Sequence, residues 1–475
     1  MSFVLKFLII RNLFLSVKQL PSAFLEQRQT DLDTEITAFM AALQEKPPVS
    51  IRFNPYKNFS SAENLENSRK KVPYTEGGYF LTERPIFTLD PAFHAGAYYV
   101  QEASSMFLAE ALSQVLDLQQ DITLLDLCAA PGGKTTLLAS VLSENSFILA
   151  NEVIKSRVEI LKENVVKWGL SNIYVSNHDS EDFTGLNGFF DVVLIDAPCS
   201  GEGLFRKDER AIAEWSPENV LTCAARQKRI LANAVKLLKP HGILLYSTCT
   251  YNDFENSDNV EWLLQNFDYQ EIKLKLKPEW GITEKKHGYQ FYPHKTVGEG
   301  FYGCVLKRTG ETLFNNETPI SVKPFGAIKL PKKQIDLVSH WLKQPDKFAF
   351  FIKPNGQIFI VLKKHMEAIS WMDSVLKRKS TGLEIGEFKG QDFIPSHNLA
   401  LSVEISPNTE GVSLSKNEAL HYLKKENIEL ENVPQGWVLA QYEGLNLGWM
   451  KVMKNRINNY LPKDFRIRMD LPREN

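Results

Sequence analysis

The chain has 475 residues, 55 Lys+Arg against 57 Asp+Glu, 43% hydrophobic and 24% charged residues, and five cysteines. That length exceeds one domain of ~100–200 residues, and the composition excludes wholesale disorder. A net charge of -2 excludes a uniformly basic nucleic-acid coat protein, though not a basic face. Residues 326–475 in fact hold 22 bases against 17 acids, the sign an anionic partner needs. Cys128, Cys199, Cys223, Cys249 and Cys304 are odd in number and far apart. They form no CxxC pair and no Cys/His cluster, so neither a metal site nor a disulfide scaffold is expected. A reducing, cytoplasmic setting is the expectation.

In chain order, residues 3–17 are apolar but interrupted by Lys6 and Arg11. The unbroken runs fall well short of the ~20 residues that span a bilayer, so an amphipathic helix or an upstream extension is expected, without a membrane partner. Residues 20–43 have helical spacing and stop at Pro47-Pro48. A Pro- and aromatic-rich stretch over 51–91 reads as short strands and loops. Apolar Met106, Phe107, Leu108 and Leu112 then mark another helix.

Residues 122–310 alternate apolar runs (ITLLDL, SFILANEV, NIYVSN, FFDVVLIDAP, GILLYST) with amphipathic segments. Gly169 ends one such segment, and Ser216-Pro217-Glu218 has the N-cap chemistry that opens another, expected to run to about Leu238. Near-continuous apolar strands joined by helices imply a parallel sheet covered on both faces, an α/β doubly wound, Rossmann-like domain. Ligands of such sheets sit at the carboxyl ends of the strands. Further on, Pro354-Asn355-Gly356 between two apolar runs predicts a hairpin, and the last eighty or so residues read as short strands with glycine turns.

LLDLCAAPGGKTT, residues 124–136, leaves a strand through a glycine pair and opens a helix, as a nucleotide-like cofactor requires. A P-loop fails because Cys128 stands where its first glycine belongs, and the GxGxxG of a dinucleotide site is absent. S-adenosyl-L-methionine fits best. Acids recur at successive strand ends: Asp126, Glu152, Asp179 and Asp196. One such acid is ordinarily a solvated loop residue; four in one sheet suggest ribose and adenine contacts. Two strands also end in cysteines, Cys199 in DAPCSG and Cys249 in YSTCTY. A cysteine alone is most often a small buried hydrophobe, but two at the ligand edge of one sheet suggest a thiolate nucleophile and a helper. Cys223 and Cys304 keep the core reading.

DLCAAPGGKTT, DAPCSGEG and YSTCTYNDFEN together resemble the Sun-type (nucleolar-protein-related) RNA cytosine-5 methyltransferases. GEGLFRKDERAIAEWSPENV, YYVQEASSM, RFNPYK and FYPHKTVGEGFYGCVLKR are similar to the bacterial small-subunit ribosomal RNA subgroup. SHNLALSVEI and GLNLGWMKVMKNRINNYLPKDFRI resemble that subgroup's C-terminal RNA-binding module, of the pseudouridine-synthase/archaeosine-transglycosylase (PUA) type. The likeness covers nearly everything from about Leu20. It implies an extension over 1–19, an N-terminal RNA-binding domain over 20–115 and a methyltransferase domain over 116–310. A linker and small α+β domain over 311–390 and a PUA-like domain over 391–475 would follow.

The resemblance further implies methyl transfer to carbon 5 of a cytosine, with Cys249 as nucleophile and Cys199 aiding proton removal and release. Asp196 would face the pyrimidine. Cys128, Ala129, Ala130, Pro131, Gly132, Gly133, Lys134, Glu152, Asp179 and Asp196 carry over as cofactor contacts, with Arg157 a weaker candidate. RNA or the small ribosomal subunit is the implied partner, bound by a monomer. Arg52, Lys57, Lys451, Lys454, Arg456, Lys463, Arg466 and Arg468 are candidates for its phosphates. Transfer RNA as substrate, a non-catalytic ribosome-assembly factor, and a DNA methyltransferase with Cys199 as nucleophile are the alternatives.

Overall fold

The computed structural model describes residues 18–59, 70–311, 327–380 and 382–471; the apolar stretch 3–17 lies outside them. Two helices come first, Ser22–Leu32 and Ile36–Gln44, where the sequence predicts one. They part at a turn in which Asp33 takes φ 45°. A small antiparallel sheet follows, made of β1 (Val49–Phe53), β2 (Lys70–Lys71), β3 (Gly78–Leu81) and β4 (Tyr98–Val100), in the order β2-β3-β1-β4.

The central sheet runs through β5 (Thr123–Asp126), β6 (Phe147–Asn151), β7 (Ile173–Ser176), β8 (Phe190–Asp196), β9 (Leu238–Thr248), β10 (Tyr269–Glu271), β11 (Thr283–Glu284), β12 (Tyr289–Phe291) and β13 (Phe301–Arg308). Its order is β11-β12-β13-β9-β8-β5-β6-β7, with β10 on β13. Strands β5 to β9 are mutually parallel, while β13 runs antiparallel to β9. The order reverses between β5 and β8, and a crevice at the carboxyl ends of such a pair is where doubly wound sheets bind ligands. Apolar clusters cover both faces, one around Leu124, Ile148 and Leu194, the other around Leu125, Leu149 and Val193. That alternation along β5 explains why its run lacks the polar interruptions of a half-solvated strand.

The expected capping chemistry forms. Ser216 Oγ accepts from the Asn219 amide and Pro217 opens the helix Pro217–Ala234. That helix ends before the expected Leu238 because Leu238 already begins β9. Gly169 closes the helix Lys155–Trp168 at φ 87°.

Next comes a five-stranded antiparallel sheet: β14 (Ile328–Lys329), β15 (Phe348–Ile352), β16 (Gln357–Leu362), β17 (Leu383–Lys389) and β18 (Asp392–Pro395). The β15–β16 hairpin turns at Pro354-Asn355-Gly356, with Gly356 at φ 87°. The last sheet holds β19 (Gly411–Ser413), β20 (Gly436–Tyr442), β21 (Leu445–Met453) and β22 (Arg456–Asn459). Its core is shared. Ile51, Tyr79 and Tyr98 of the first sheet lie in one cluster with Tyr422, Met450, Leu461 and Ile467 near the end of the chain.

Candidate active site

At the carboxyl ends of β5, β8 and β9 lies a cavity of about 290 Å3. The turn after β5 contributes Asp126, Cys128, Ala129, Ala130, Pro131, Gly133 and Lys134; β8 and β9 contribute Asp196 and Cys249. Tyr99 and Gln101 close it from the first sheet, and Glu299 and Phe301 from the approach to β13. Gly132 takes φ 111°, the left-handed region that a side chain disfavours, and a Cβ there would press on Leu161 at 3.1 Å. A Cβ on Gly133 would meet the Tyr99 ring at 3.3 Å, so the turn is a cradle that only small residues leave open.

Asp126 is fully buried at the end of β5. Its Oδ2 accepts from Thr135 Oγ1 at 2.6 Å, while Oδ1 has no partner. Burial pushes this carboxyl up to about 7. Asp196 is held on both oxygens, by Lys134 Nζ at 2.7 Å and Ser247 Oγ at 2.9 Å. Burial alone would loosen the proton on Lys134; the Asp196 carboxylate more than offsets it, and the ammonium pKa is raised.

The two predicted thiols are neighbours because β8 and β9 pair in register, Asp196 beside Ser247. Cys199 Sγ and Cys249 Sγ are 3.0 Å apart, and the Cys249 amide donates to Cys199 Sγ at 3.3 Å. Both are free and partly exposed. The hydrogen bond to Cys249, then burial, pushes the Cys199 thiol well up, so Cys199 keeps its proton while it faces Cys249. Cys223 and Cys304 are buried in the core, as expected.

A family model described as 16S rRNA methyltransferase RsmB/F matches residues 113–307. The N-terminal domain of 16S rRNA methyltransferase RsmF matches 20–103, and the methyltransferase RsmF PUA domain matches 409–467. Ribosomal RNA small subunit methyltransferase F of Vibrio campbellii is 30% identical over 94% of this chain and 97% of its own length. Its Vibrio vulnificus counterpart is 31% identical over the same shares. The chain belongs to this methyltransferase F family. Among solved structures, a methyltransferase homolog protein from Pyrococcus horikoshii shares 29% identity at a TM-score of 0.50, covering 58% of this chain and 90% of that one.

The remaining members of the family's motifs sit around the cavity unequally. Glu152 is buried just after β6, accepting from the Ile154 amide at 2.9 Å and pairing with Arg157 at 3.3 Å. Arg157 also donates to the Ala130 carbonyl at 2.6 Å, bracing the cofactor turn from outside. Asp179 does not line the cavity. It caps the short helix Ser180–Leu186, and Arg229 grips both its oxygens at 2.8 and 3.0 Å. That hydrogen bond holds the Asp179 carboxyl below its usual range.

Two phosphate candidates prove to be structural. Arg52 is only 2% exposed. It lies over the Trp168 ring at 4.3 Å and donates to Gln101 Oε1, Thr136 Oγ1, Ser140 Oγ and the Gly133 carbonyl. Lys57 donates to the carbonyls of Ala95 and Lys167 at 2.7 and 2.6 Å, and burial lowers it to about 7. Neither is free for RNA. Lys454, Arg456, Lys463, Arg466 and Arg468 are exposed, and Lys451 is half-buried over the Trp437 ring.

Two acids escaped the sequence reading. Glu255 is fully buried and accepts from the Ser200 amide at 3.0 Å, from Ser200 Oγ, from Gln227 at 2.7 Å and from Asn252 at 2.8 Å. Glu202, also fully buried, accepts from the Tyr251 and Asn252 amides at 2.9 and 3.1 Å and from Trp215 Nε1 at 3.0 Å. Each ties the Cys199 loop to the Cys249 loop. Their only signal in the sequence was a place inside DAPCSGEG and YNDFEN.

Proposed function

We propose that this protein transfers a methyl group from S-adenosyl-L-methionine to carbon 5 of a cytosine in small-subunit ribosomal RNA, through a covalent bond to Cys249. The observation that carries the reading is that Cys249 lines one cavity with the Asp196–Lys134 pair while a second thiol, Cys199, stands 3.0 Å from its sulfur. The names of the relatives support ribosomal over transfer RNA.

The cavity suits the cofactor. Asp126 Oδ1 is an acceptor without a donor, which the cofactor's amino group would supply, and the Gly132-Gly133 turn leaves room for its backbone approach. Cys128 to Lys134 would hold it, with Glu152 behind the turn. When bound, S-adenosyl-L-methionine supplies the electrophilic methyl group.

Carbon 5 of cytosine is a weak nucleophile, so attack at carbon 6 must come first. The Cys249 thiolate forms the S–C6 bond, and the C5–C6 π pair moves toward carbon 5, which then takes the methyl. With the shared proton on Cys199, whose sulfur lies 3.0 Å from that of Cys249, the Cys249 thiolate is favoured. Asp196, fixed by Lys134 and Ser247, faces the ring and stabilises a proton on nitrogen 3 as charge develops. Once Cys249 is a thioether, the influence that held the Cys199 proton is gone; the partly exposed Cys199 releases that proton to solvent and serves as base in its thiolate form. Removing the carbon 5 proton restores the double bond and expels the Cys249 thiolate. The base must leave its stack to reach Cys249, so the target is single-stranded or remodelled RNA. Its phosphates meet Lys207, an exposed rim lysine with no ion pair among the described residues.

Tritiated-methyl transfer to ribosomal RNA tests the reading. Cys249→Ala should abolish product, whereas Cys199→Ala should accumulate protein covalently attached to RNA. The reverse pattern would make Cys199 the nucleophile. Bisulfite sequencing of ribosomal RNA with and without the gene should reveal one lost methylcytosine; no difference would defeat the proposal.

A further inference from the structure

Between the segment Ser339–Lys343, the loop Ser406–Glu410 and Trp437 of β20, a second cleft of about 640 Å3 opens, within the ~300–1,000 Å3 of small-molecule sites. Its walls include Trp341 and His340 on one side, Trp437 on the other, with Lys343, Asn408 and Glu410 between. The matched family models leave residues 308–408 outside their spans, and nine of the twelve residues that line this cleft lie there.

Both indoles are half-buried and rigidly backed. Trp449 is buried between them, edge-on to Trp341 at 5.2 Å and to Trp437 at 6.4 Å, and its Nε1 donates to the Ser396 carbonyl at 2.8 Å. The Trp341 backbone is stitched to the opposite segment: Ser406 N donates to the Trp341 carbonyl and Lys343 N to the Glu404 carbonyl, each at 2.8 Å. Tyr460 packs edge-on against Trp437 at 4.4 Å. Neither cleft indole N–H meets an acceptor among the described residues. Lys343 makes no ion pair there, and Lys451 Nζ stands 5.2 Å from the Trp437 ring. Glu410 is the single acid of the lining.

We infer that this cleft is a stacking site for an unpaired RNA base, with Lys343 and Lys451 against its phosphates. Rigid aromatic walls, unpaired lysines and free N–H donors match the chemistry that holds single-stranded nucleic acid. The inference rests on the RNA substrate proposed above and assigns a second point of hold, away from Cys249.

The test uses the full chain and two probes, a fluorescein-labelled small-subunit ribosomal RNA transcript and a labelled single-stranded dodecanucleotide. Trp437→Ala and Trp341→Ala should each weaken binding by about tenfold, and Trp437→Phe should recover most of the loss. Lys343→Ala should reduce the slope of log Kd against log salt by about one. S-adenosyl-L-methionine binding and the rate at saturating RNA should stay at the wild-type value. Wild-type affinity in the two alanine variants would overturn the cleft assignment while leaving the Cys249 chemistry standing. If Trp437→Ala does not fold, Trp437→Phe and Lys343→Ala decide alone: unchanged affinity and salt slope in both overturns it. A proline-rich peptide displaced from the wild type by neither RNA probe, yet lost in Trp437→Ala, would also overturn it. A wild type that binds neither probe and transfers no methyl would bring down the functional reading with it.

Discussion

Asp126 shows how one buried residue can trade stability for binding. Its folded pKa of about 7 stands above the ordinary 3.8, so the folded chain holds that proton more tightly than the unfolded one. As pH rises the unfolded chain ionises first, and stability through this group falls between about pH 4 and pH 7. Asp126→Asn, which cannot ionise, should melt like the wild type near pH 4.5 and above it at pH 8, while binding the cofactor less well. A variant that melts below the wild type at pH 8 would show that the Thr135 hydrogen bond outweighs the burial cost. Lys207 makes the complementary case at the rim. Lys207→Ala should raise the KM for RNA several-fold, leave kcat within about twofold, and lower the salt slope by about one. An unchanged KM would remove Lys207 from the RNA path.

At the scale of elements, strand ends were legible and burial of charge was not. The apolar runs before Asp126, Asp196 and Cys249 are continuous because those strands are covered on both faces, so their ends and their cysteines could be placed on one crevice from spacing alone. Arg52 and Lys57 carry the same charge as a phosphate-binding residue, and nothing local says otherwise. What buries Arg52 is Trp168 on another element, together with acceptors on the helix Gly133–Val141. Glu202 and Glu255 are hidden for the same reason, since the Tyr251 amide that binds the one and the Ser200 amide that binds the other lie some 50 residues away. Arg52 joins β1 to the cofactor turn. Arg52→Ala should cost about 2–4 kcal/mol in denaturant unfolding, since it strands several buried acceptors. Arg52→Lys should not rescue it, because one ammonium cannot reproduce a planar fork stacked on an indole. A lysine variant with wild-type stability and cofactor affinity would contradict the bracing role.

At the scale of the molecule, the first and last sheets are one folding unit although the central sheet separates them in sequence. Met450 is fully buried in that joint cluster with Ile51 and Tyr98. Met450→Ala should therefore cost about 2–5 kcal/mol. Hydrogen exchange should quicken at the amides of β1 and β21 together; exchange that rises in β21 alone would mean the two sheets are separately stable. The mildly basic tail is thus bolted to the body that carries Cys249, so RNA held at the one, under the function proposed above, would be positioned for the other.

The joint core also sets a timetable. During synthesis, β1 leaves the ribosome with its apolar face bare, and residues that cover it, Met450 among them, follow about 400 residues later. At about 5–20 residues per second the wait is tens of seconds, long enough for a chaperone to be needed. Until β21 has emerged the first sheet lacks its cover, so termination ahead of β21 should yield a sticky fragment rather than a crippled enzyme.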